Sequence, residues 1–208
     1  MRRDLISSAV AVVVFTVLLG LAYPLATTGI SQVLFPGASD GSTIERDGEI
    51  VGSRLIGQDF RKEVPNTGRG AETRLVPDER YFQSRPSATG YSADVTFFNN
   101  LGPNNADLAE FFAKQLAAYV ALEGPYNPGL TEADVPVDAV TTSASGVDPH
   151  ISEANARIQA ARIAEVRGIA LDRVEELIDE HTDGRALGFL GEPGVNVLQL
   201  NIALDEEA

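Results

Sequence analysis

The chain has 208 residues, with 16 Lys and Arg against 30 Asp and Glu, for a net charge of −14. At 44% apolar it can bury a core, so it is not a disordered acidic chain, and its length suits one or two domains. The absence of Cys and the presence of only His150 and His181 exclude disulfides, thiolate chemistry and a His-rich metal site, and the acid excess argues against nucleic acid, whose phosphates need Lys and Arg.

Lys occurs only at Lys62 and Lys114, and every other basic residue is Arg. At molar salt the Debye length falls to about 3 Å and hydrated carboxylates keep a protein soluble, so the acid excess and Lys scarcity together suggest a halophilic source.

Residues 5–26 carry no charge, and about 20 apolar residues suffice to cross a bilayer as a helix. Arg2 and Arg3 precede this run, and the next basic residue is Arg46, so the positive-inside bias places the N-terminus in the cytoplasm and the rest outside. The run exceeds the 7–15 residues or so of a signal-peptide core, which favours a retained anchor over a cleaved leader. Pro24 is expected to kink or end the helix. The expected organisation is residues 1–30 as cytoplasmic N-terminus and span, and residues 31–208 as an extracytoplasmic domain.

Within that domain, Asp47-Gly48 between two short apolar-containing runs predicts a β-hairpin. Residues 62–78 mix Pro65, Gly68, Gly70 and Pro77 with charges and lack a period, which predicts an exposed, inserted loop. Asn104 is a candidate cap for a helix whose Leu108, Phe111, Phe112, Leu116, Tyr119 and Val120 share one face. Residues 135–140 read as a short strand. A helix follows from a Ser152 cap to Gly168, and a second carries Ala170, Val174, Leu177, Ile178 and His181 on one face, ending by Gly184. In residues 195–204, Leu198, Leu200, Ile202 and Leu204 alternate with Gln199, Asn201 and Ala203, the pattern of a half-buried strand. The fold class is therefore mixed α/β (α+β), attached to one transmembrane helix.

Ser145, Asp148 and His150 gather hydroxyl, carboxylate and imidazole in one short stretch, but a catalytic triad needs a mutual geometry that such adjacency rarely supplies. The expected roles are Asp148 and Ser152 satisfying turn and cap N–H groups and His150 bonding the backbone. Gln159 and Arg162, three apart on a helix, are neighbours on one face, placed to grip a polar ligand or a partner, though such pairs are more often found at the solvated surface, where they are expected here. No phosphate-cradling Gly-x-x-x-x-Gly-Lys-[Ser/Thr] stretch and no Asp-Lys-Thr phosphorylation sequence is present, so ATP hydrolysis by this polypeptide is unsupported.

Several motifs occur in order along nearly the whole chain: Phe35-Pro36, Gly52-Ser-Arg-Leu-Ile-Gly57-Gln58 with Phe60, Tyr81-Phe82, Arg85-Pro86-Ser87-Ala-Thr89 and Tyr91, Asn100-Leu-Gly-Pro103, Val135-Pro-Val-Asp138, Asp148-Pro-His150-Ile-Ser152, Gln159, Arg162, Arg167-Gly168, Leu187-Gly-Phe-Leu-Gly-Glu-Pro193 and Val195-Asn196-Val-Leu198. In these the chain resembles the C subunit of the Kdp potassium-transporting P-type ATPase. The sequence Val95-Thr-Phe-Phe-Asn99 replaces that family's Gly-rich stretch. The resemblance implies a non-catalytic accessory subunit of a high-affinity potassium import complex. Its partners would be a channel-like potassium-translocating subunit, an ATP-hydrolysing P-type subunit and a small single-span subunit, in the cell membrane and without nucleic acid.

The resemblance also implies a catalytic chaperone that raises the ATP affinity of the hydrolysing subunit, with Ser143, Ser145, Gly146 and Gln159 as nucleotide contacts. Gly57, Gln58, Arg85, Pro86, Ser87, Asp148, His150, Arg162 and Asn196 would hold the fold or touch partners. No firmly bound cofactor or metal is implied; ATP enters through the complex, and potassium is the ion moved. Cytoplasmic ATP does not reach a domain exported according to Arg2 and Arg3, so assembly is the expected contribution. The contrasting reading is a free-standing anchored binding module with a cleft near His150 and Gln159.

Overall fold

The computed structural model describes residues 1–66, 73–92, 94–95 and 100–207. It divides into two compact units, Met1–Ser53 and Arg54–Ala208. The first begins with a continuous apolar helix, Arg2–Leu34, made of α1 (Arg2–Val17), a wider turn at Leu18–Ala22, and α2 (Tyr23–Leu34). None of its side chains is buried, and its length and apolar composition suit a membrane span. Pro24 neither ends nor breaks it. The ring cannot donate to the preceding turn and crowds its carbonyl, and the i→i+5 winding at Leu18–Ala22 lies where that mismatch arises.

A short turn, α3 (Pro36–Ser39), leads to the hairpin of β1 (Thr43–Arg46) and β2 (Glu49–Ser53). Asp47 and Gly48 connect the two strands, both at positive φ (54° and 82°), as the tight turn matching strand twist requires.

The second unit opens with an antiparallel ladder, β3 (Arg61–Pro65) against β4 (Thr73–Pro77), in the register Lys62↔Val76 and Val64↔Arg74. This corrects the irregular loop expected over 62–78. Pro65 and Pro77 stand at the strand ends, where a missing N–H costs little, and Val64 and Val76 are the half-buried residues of the ladder. Gly68 and Gly70 lie outside the described residues, as do positions 96–99 of the replaced Gly-rich stretch.

Helix α4 (Ala106–Glu123) starts one residue later than expected, because Asn105 supplies the cap, its Oδ1 accepting from the Asp107 N–H at 2.7 Å. Its apolar face is half-buried, and the one fully buried residue is Glu123. Single 3₁₀ turns follow at Gly124–Tyr126 and Glu132–Asp134. Residues 135–140 form no strand. Pro136 precedes one helical turn, α5 (Val137–Val140), which brings Asp138 to the start of the next helix.

β5 (His150–Ile151) leads to α6 (Glu153–Arg167), capped by Ser152 and closed by Gly168 at φ 69°. α7 (Leu171–Glu180) buries Val174, Leu177 and Ile178; it ends at His181, ahead of Gly184, and Ala170 is its exposed N-cap. β6 (Thr182–Asp183) and β7 (Gly194–Asn196) complete a three-stranded antiparallel sheet in the order β5-β7-β6.

The chain closes with α8 (Val197–Glu206) where period-2 alternation predicts a strand. The same residues satisfy a helical period, with Val197, Leu200 and Leu204 on one face. Asn196 decides between the two by accepting from the Gln199 N–H, which starts the helix. Phe82, Ile151, Ile163, Ile178, Val195 and Leu200 are among the buried residues of the core cluster.

Candidate functional site

Several motif residues converge on one feature, the segment 79–83, a turn running into irregular backbone whose polar groups are held largely by side chains rather than by a strand. Asn201 of α8 brackets Phe82, its Oδ1 accepting from the Phe82 N–H at 2.9 Å and its Nδ2 donating to the Phe82 carbonyl at 3.0 Å. Gln159 of α6 does the same for Gln83, accepting from its N–H at 2.7 Å and donating to its carbonyl at 3.1 Å. Arg162 donates to the carbonyls of Glu79 and Tyr81, and Arg167 to that of Arg80 at 2.6 Å. The Arg167 guanidinium also lies 4.8 Å from the centre of the Tyr81 ring. Buried backbone groups need partners, and here α6 and α8 provide them.

Gln159 and Arg162 are therefore not surface residues: they are 1% and 0% exposed. They are neighbours on one face as expected, with Arg162 Nη2 donating to Gln159 Oε1 at 3.0 Å. The Arg162 Nε donates to Glu123 of α4, 2.9 Å from Oε1 and 3.1 Å from Oε2, and that carboxylate is likewise fully buried. Burial pushes the Glu123 carboxyl up to about 7, against the opposing pull of Arg162. Asn155 extends the network. It accepts from the Tyr119 hydroxyl at 2.8 Å and from Gln159 Nε2 at 3.0 Å, and it donates to Asp138, which also holds the Ser152 N–H and hydroxyl. Burial raises the Tyr119 hydroxyl's pKa, keeping it a neutral donor.

A second cluster surrounds Asp148. Its Oδ2 accepts from Arg85 Nη1 at 3.1 Å and its Oδ1 from the His150 N–H at 3.0 Å, the expected turn role. These donors hold Asp148 below the usual carboxylate range although burial acts the other way. Arg85 Nη2 reaches Thr141 Oγ1 and the Thr142 carbonyl, both at 3.3 Å. The His150 ring bonds not the backbone but Asp183 Oδ2, at 3.0 Å, tying β5 to β6. Its pKa is raised by the Asp148 carboxylate and, further, by Asp183, against partial burial.

The 143–146 stretch is fastened to segment 87–91. Ser87 Oγ donates to the Gly146 carbonyl at 2.6 Å and accepts from the Thr89 and Tyr91 N–H groups. Gly146 donates to Ser143 Oγ, and Ser145 Oγ accepts from the Val147 N–H at 3.2 Å. Among the described residues no hydrogen bond joins Ser145 to His150. Gly57 packs onto the same stretch, its N–H donating to the Val147 carbonyl at 2.8 Å; a Cβ there would stand 2.4 Å from the Asp148 carbonyl oxygen. Asn196 is 1% exposed and donates to the Arg54 carbonyl at 2.8 Å while capping α8.

A cleft of about 200 Å³ opens between α4 and segment 83–91, lined by Gln58, Arg85, Pro86, Ser87, Gln159 and others. Ser143, Ser145 and Gly146 are not among its lining, so the structure does not gather the four expected nucleotide contacts at this cleft. Among the described residues no cluster of three or more metal-binding side chains occurs. The sequence reading missed Glu123, Asn155 and Asn201, and named Asp138 only as the end of a motif. Glu123 falling on the apolar face of its helix, three residues after Val120 and four after Tyr119, was the one local sign available.

Residues 5–206 match the family model described as KdpC: K+-transporting ATPase, c chain. The chain is 48% identical over 208 residues to the potassium-transporting ATPase KdpC subunit of Rhodospirillum rubrum, covering 99% of this chain and 97% of that protein. Against the protein of the same name in Mycobacterium tuberculosis, identity is 44% over 207 residues, covering 99% of each. The Streptomyces avermitilis protein, also named as a KdpC subunit, is 45% identical over 204 residues, covering 94% and 90%.

Proposed function

The chain belongs to the KdpC family, and on that footing we propose that it is a non-catalytic accessory subunit of a high-affinity, ATP-driven potassium import complex. Its partners are a channel-like potassium-translocating subunit, the P-type subunit that hydrolyses ATP, and a small single-span subunit. The helix Arg2–Leu34 anchors it, with Arg2 and Arg3 on the cytoplasmic side and the α+β domain outside. Assembly or stabilisation of the complex is the contribution we assign to the domain.

The observation that carries this reading is the state of the motif residues. Gln159 and Arg162 have their polar atoms engaged inside the fold, and Asn196 caps a helix while holding Arg54, so these side chains build a rigid body rather than await a substrate. The four hydrogen bonds of Gln159 exhaust its amide, which argues against a nucleotide contact there and against a catalytic-chaperone role through that residue. The excess of carboxylates over Lys fits a protein that works in high salt.

A mild-detergent pull-down of the tagged full-length chain at high salt, read by mass spectrometry, tests the reading. Recovery of a P-type ATPase subunit with a channel-like subunit is expected. A lone 22.1 kDa protein would overturn it in favour of an anchored binding module.

A further inference from the structure

His150 touches both roots of one loop. Asp183 ends β6 and Gly194 begins β7, so residues 184–193 leave the sheet from one and return at the other. The register pairs His150 with Asn196 and Asp183 with Gly194, which puts all four on one face of the sheet. The His150 ring crosses the central strand over Gly194, and its Nε2 stands 3.0 Å from Asp183 Oδ2. A Cβ on Gly194 would fall 3.1 Å from His150 Cβ and 3.4 Å from Cγ, so a side chain there would crowd the ring.

The loop between these roots holds a costly shape. Leu187 has φ +55°, a left-handed conformation that non-glycine residues rarely adopt. Such backbone persists only where the surrounding structure over-determines it. Within the loop, the Ala186 and Leu190 N–H groups each donate to the other residue's carbonyl at 2.9 Å, and Arg185 pairs with Glu192. An exposed ion pair contributes little, which leaves the two roots as the main restraint.

The charges around the imidazole act in one sense. Asp148 Oδ1, from the turn before β5, is 3.8 Å from Nδ1, and Asp183 faces Nε2 from β6. Arg85 lies beyond Asp148, bonded to it at 3.1 Å, and β7 presents only uncharged Gly194 and Asn196. Asp148 and then Asp183 raise the His150 pKa against partial burial, and the side chain is 34% exposed, so solvent protons reach it.

We propose that His150 is a proton-operated clasp on the roots of the loop 184–193: the charged ring holds β6 against β7 and the loop in its bent form, and the neutral ring lets the base of the loop loosen. The neutral ring still donates from Nε2, so the bond weakens rather than breaks; charge-assisted hydrogen bonds are roughly twice as strong as neutral ones. The clasp is fully engaged below about pH 6.5 and is lost as pH rises through the folded value. The proton concentration in the compartment the domain faces thereby sets how firmly exposed Leu187, Phe189 and Leu190 are held. The clasp acts within this chain, whatever the chain assembles with.

Hydrogen exchange of the full chain in detergent, read by mass spectrometry from about pH 5.5 to 8.5 and divided by intrinsic rates, tests the clasp. Protection of peptides covering 184–193 should fall by about threefold or more as pH rises through neutrality, while that of α6 changes less. His150→Gln keeps a donor but takes up no proton, and should give low protection of the loop at every pH. Asp183→Asn should do the same with the ring in place; Asp183 is 56% exposed, so its replacement empties no core and carries the comparison if His150→Gln fails to fold. Protection of 184–193 that is flat with pH in the wild-type chain, or a fall that persists in the folded variants, would overturn the proposal.

Discussion

Arg162 of α6 and Glu123 of α4 meet at 2.9 Å with both side chains fully buried, joining two helices whose paired residues lie far apart in sequence. Removing one member of such a pair strands the other charge. Above about pH 7, where the Glu123 carboxyl is ionised, Glu123→Ala leaves the always-protonated Arg162 without its counter-charge and should lower stability by about 3–5 kcal/mol, whereas Glu123→Gln, which keeps an acceptor, should cost less. Urea unfolding of the full chain in detergent measures both; equal, small losses would contradict the assignment.

Gly57 lies against the Val147–Asp148 backbone, where a Cβ would fall 2.4 Å from the Asp148 carbonyl oxygen and 2.8 Å from Tyr91 Cε1. Two segments must part to admit it. Gly57→Ala should therefore destabilise by about 1–3 kcal/mol, as overpacking does, with a visible drop in melting temperature.

Stability should be greatest in mild acid. The raised Glu123 carboxyl, at about 7, keeps its proton in the folded state where the unfolded chain has lost it, so stability falls as pH rises from the ordinary glutamate value towards 7. His150 is also raised. Its charged form, favoured by Asp148 and Asp183, stabilises fully below about 6.5, and that stabilisation is lost as pH rises through the folded value. Asp59, which accepts from the Arg61 guanidinium at 2.6 and 2.8 Å, and Asp148 are held low by their partners against the effect of burial, so their support is present above the ordinary aspartate value and is lost on stronger acidification. A melting-temperature profile should peak near about pH 5. Asp183→Asn should flatten the limb around neutrality, and a profile unchanged there would contradict the role of the His150–Asp183 bond.

Leu187 pays for its left-handed backbone with about 1–2 kcal/mol that an Asn would largely recover. Leu187→Asn should leave the melting temperature unchanged or raised. A loss of stability would show that the leucine serves the fold instead.

Salt should support the fold. With carboxylates crowding the surface and little Lys, the melting temperature should climb between about 0.1 and 2 M KCl as mutual repulsion is screened. A flat profile would mark an ordinary acidic protein.

Local signals were the legible ones. The uncharged run, the Asp47-Gly48 turn, the Ser152 cap and the Gly168 terminator each act within a few residues, and each appears in the structure. Residues 195–204 misled because their apolar positions satisfy both a 2.0 and a 3.6 period, and the deciding hydrogen bond comes from Asn196, outside the pattern. The prolines of 62–78 resemble loop residues until strand pairing shows them at the strand ends. Gln159 and Arg162 were recognisable as neighbours but not as buried, because the groups that satisfy them, Glu123 and the backbone of 79–83, belong to distant segments that only tertiary packing brings together.

The most direct measurement compares potassium-stimulated ATP hydrolysis and subunit co-recovery in complexes purified from cells that contain or lack this chain. An accessory assembly subunit predicts that, without it, the translocating and ATP-hydrolysing subunits separate in mild detergent and potassium-stimulated turnover is lost. An intact, fully active complex purified in its absence would contradict that role.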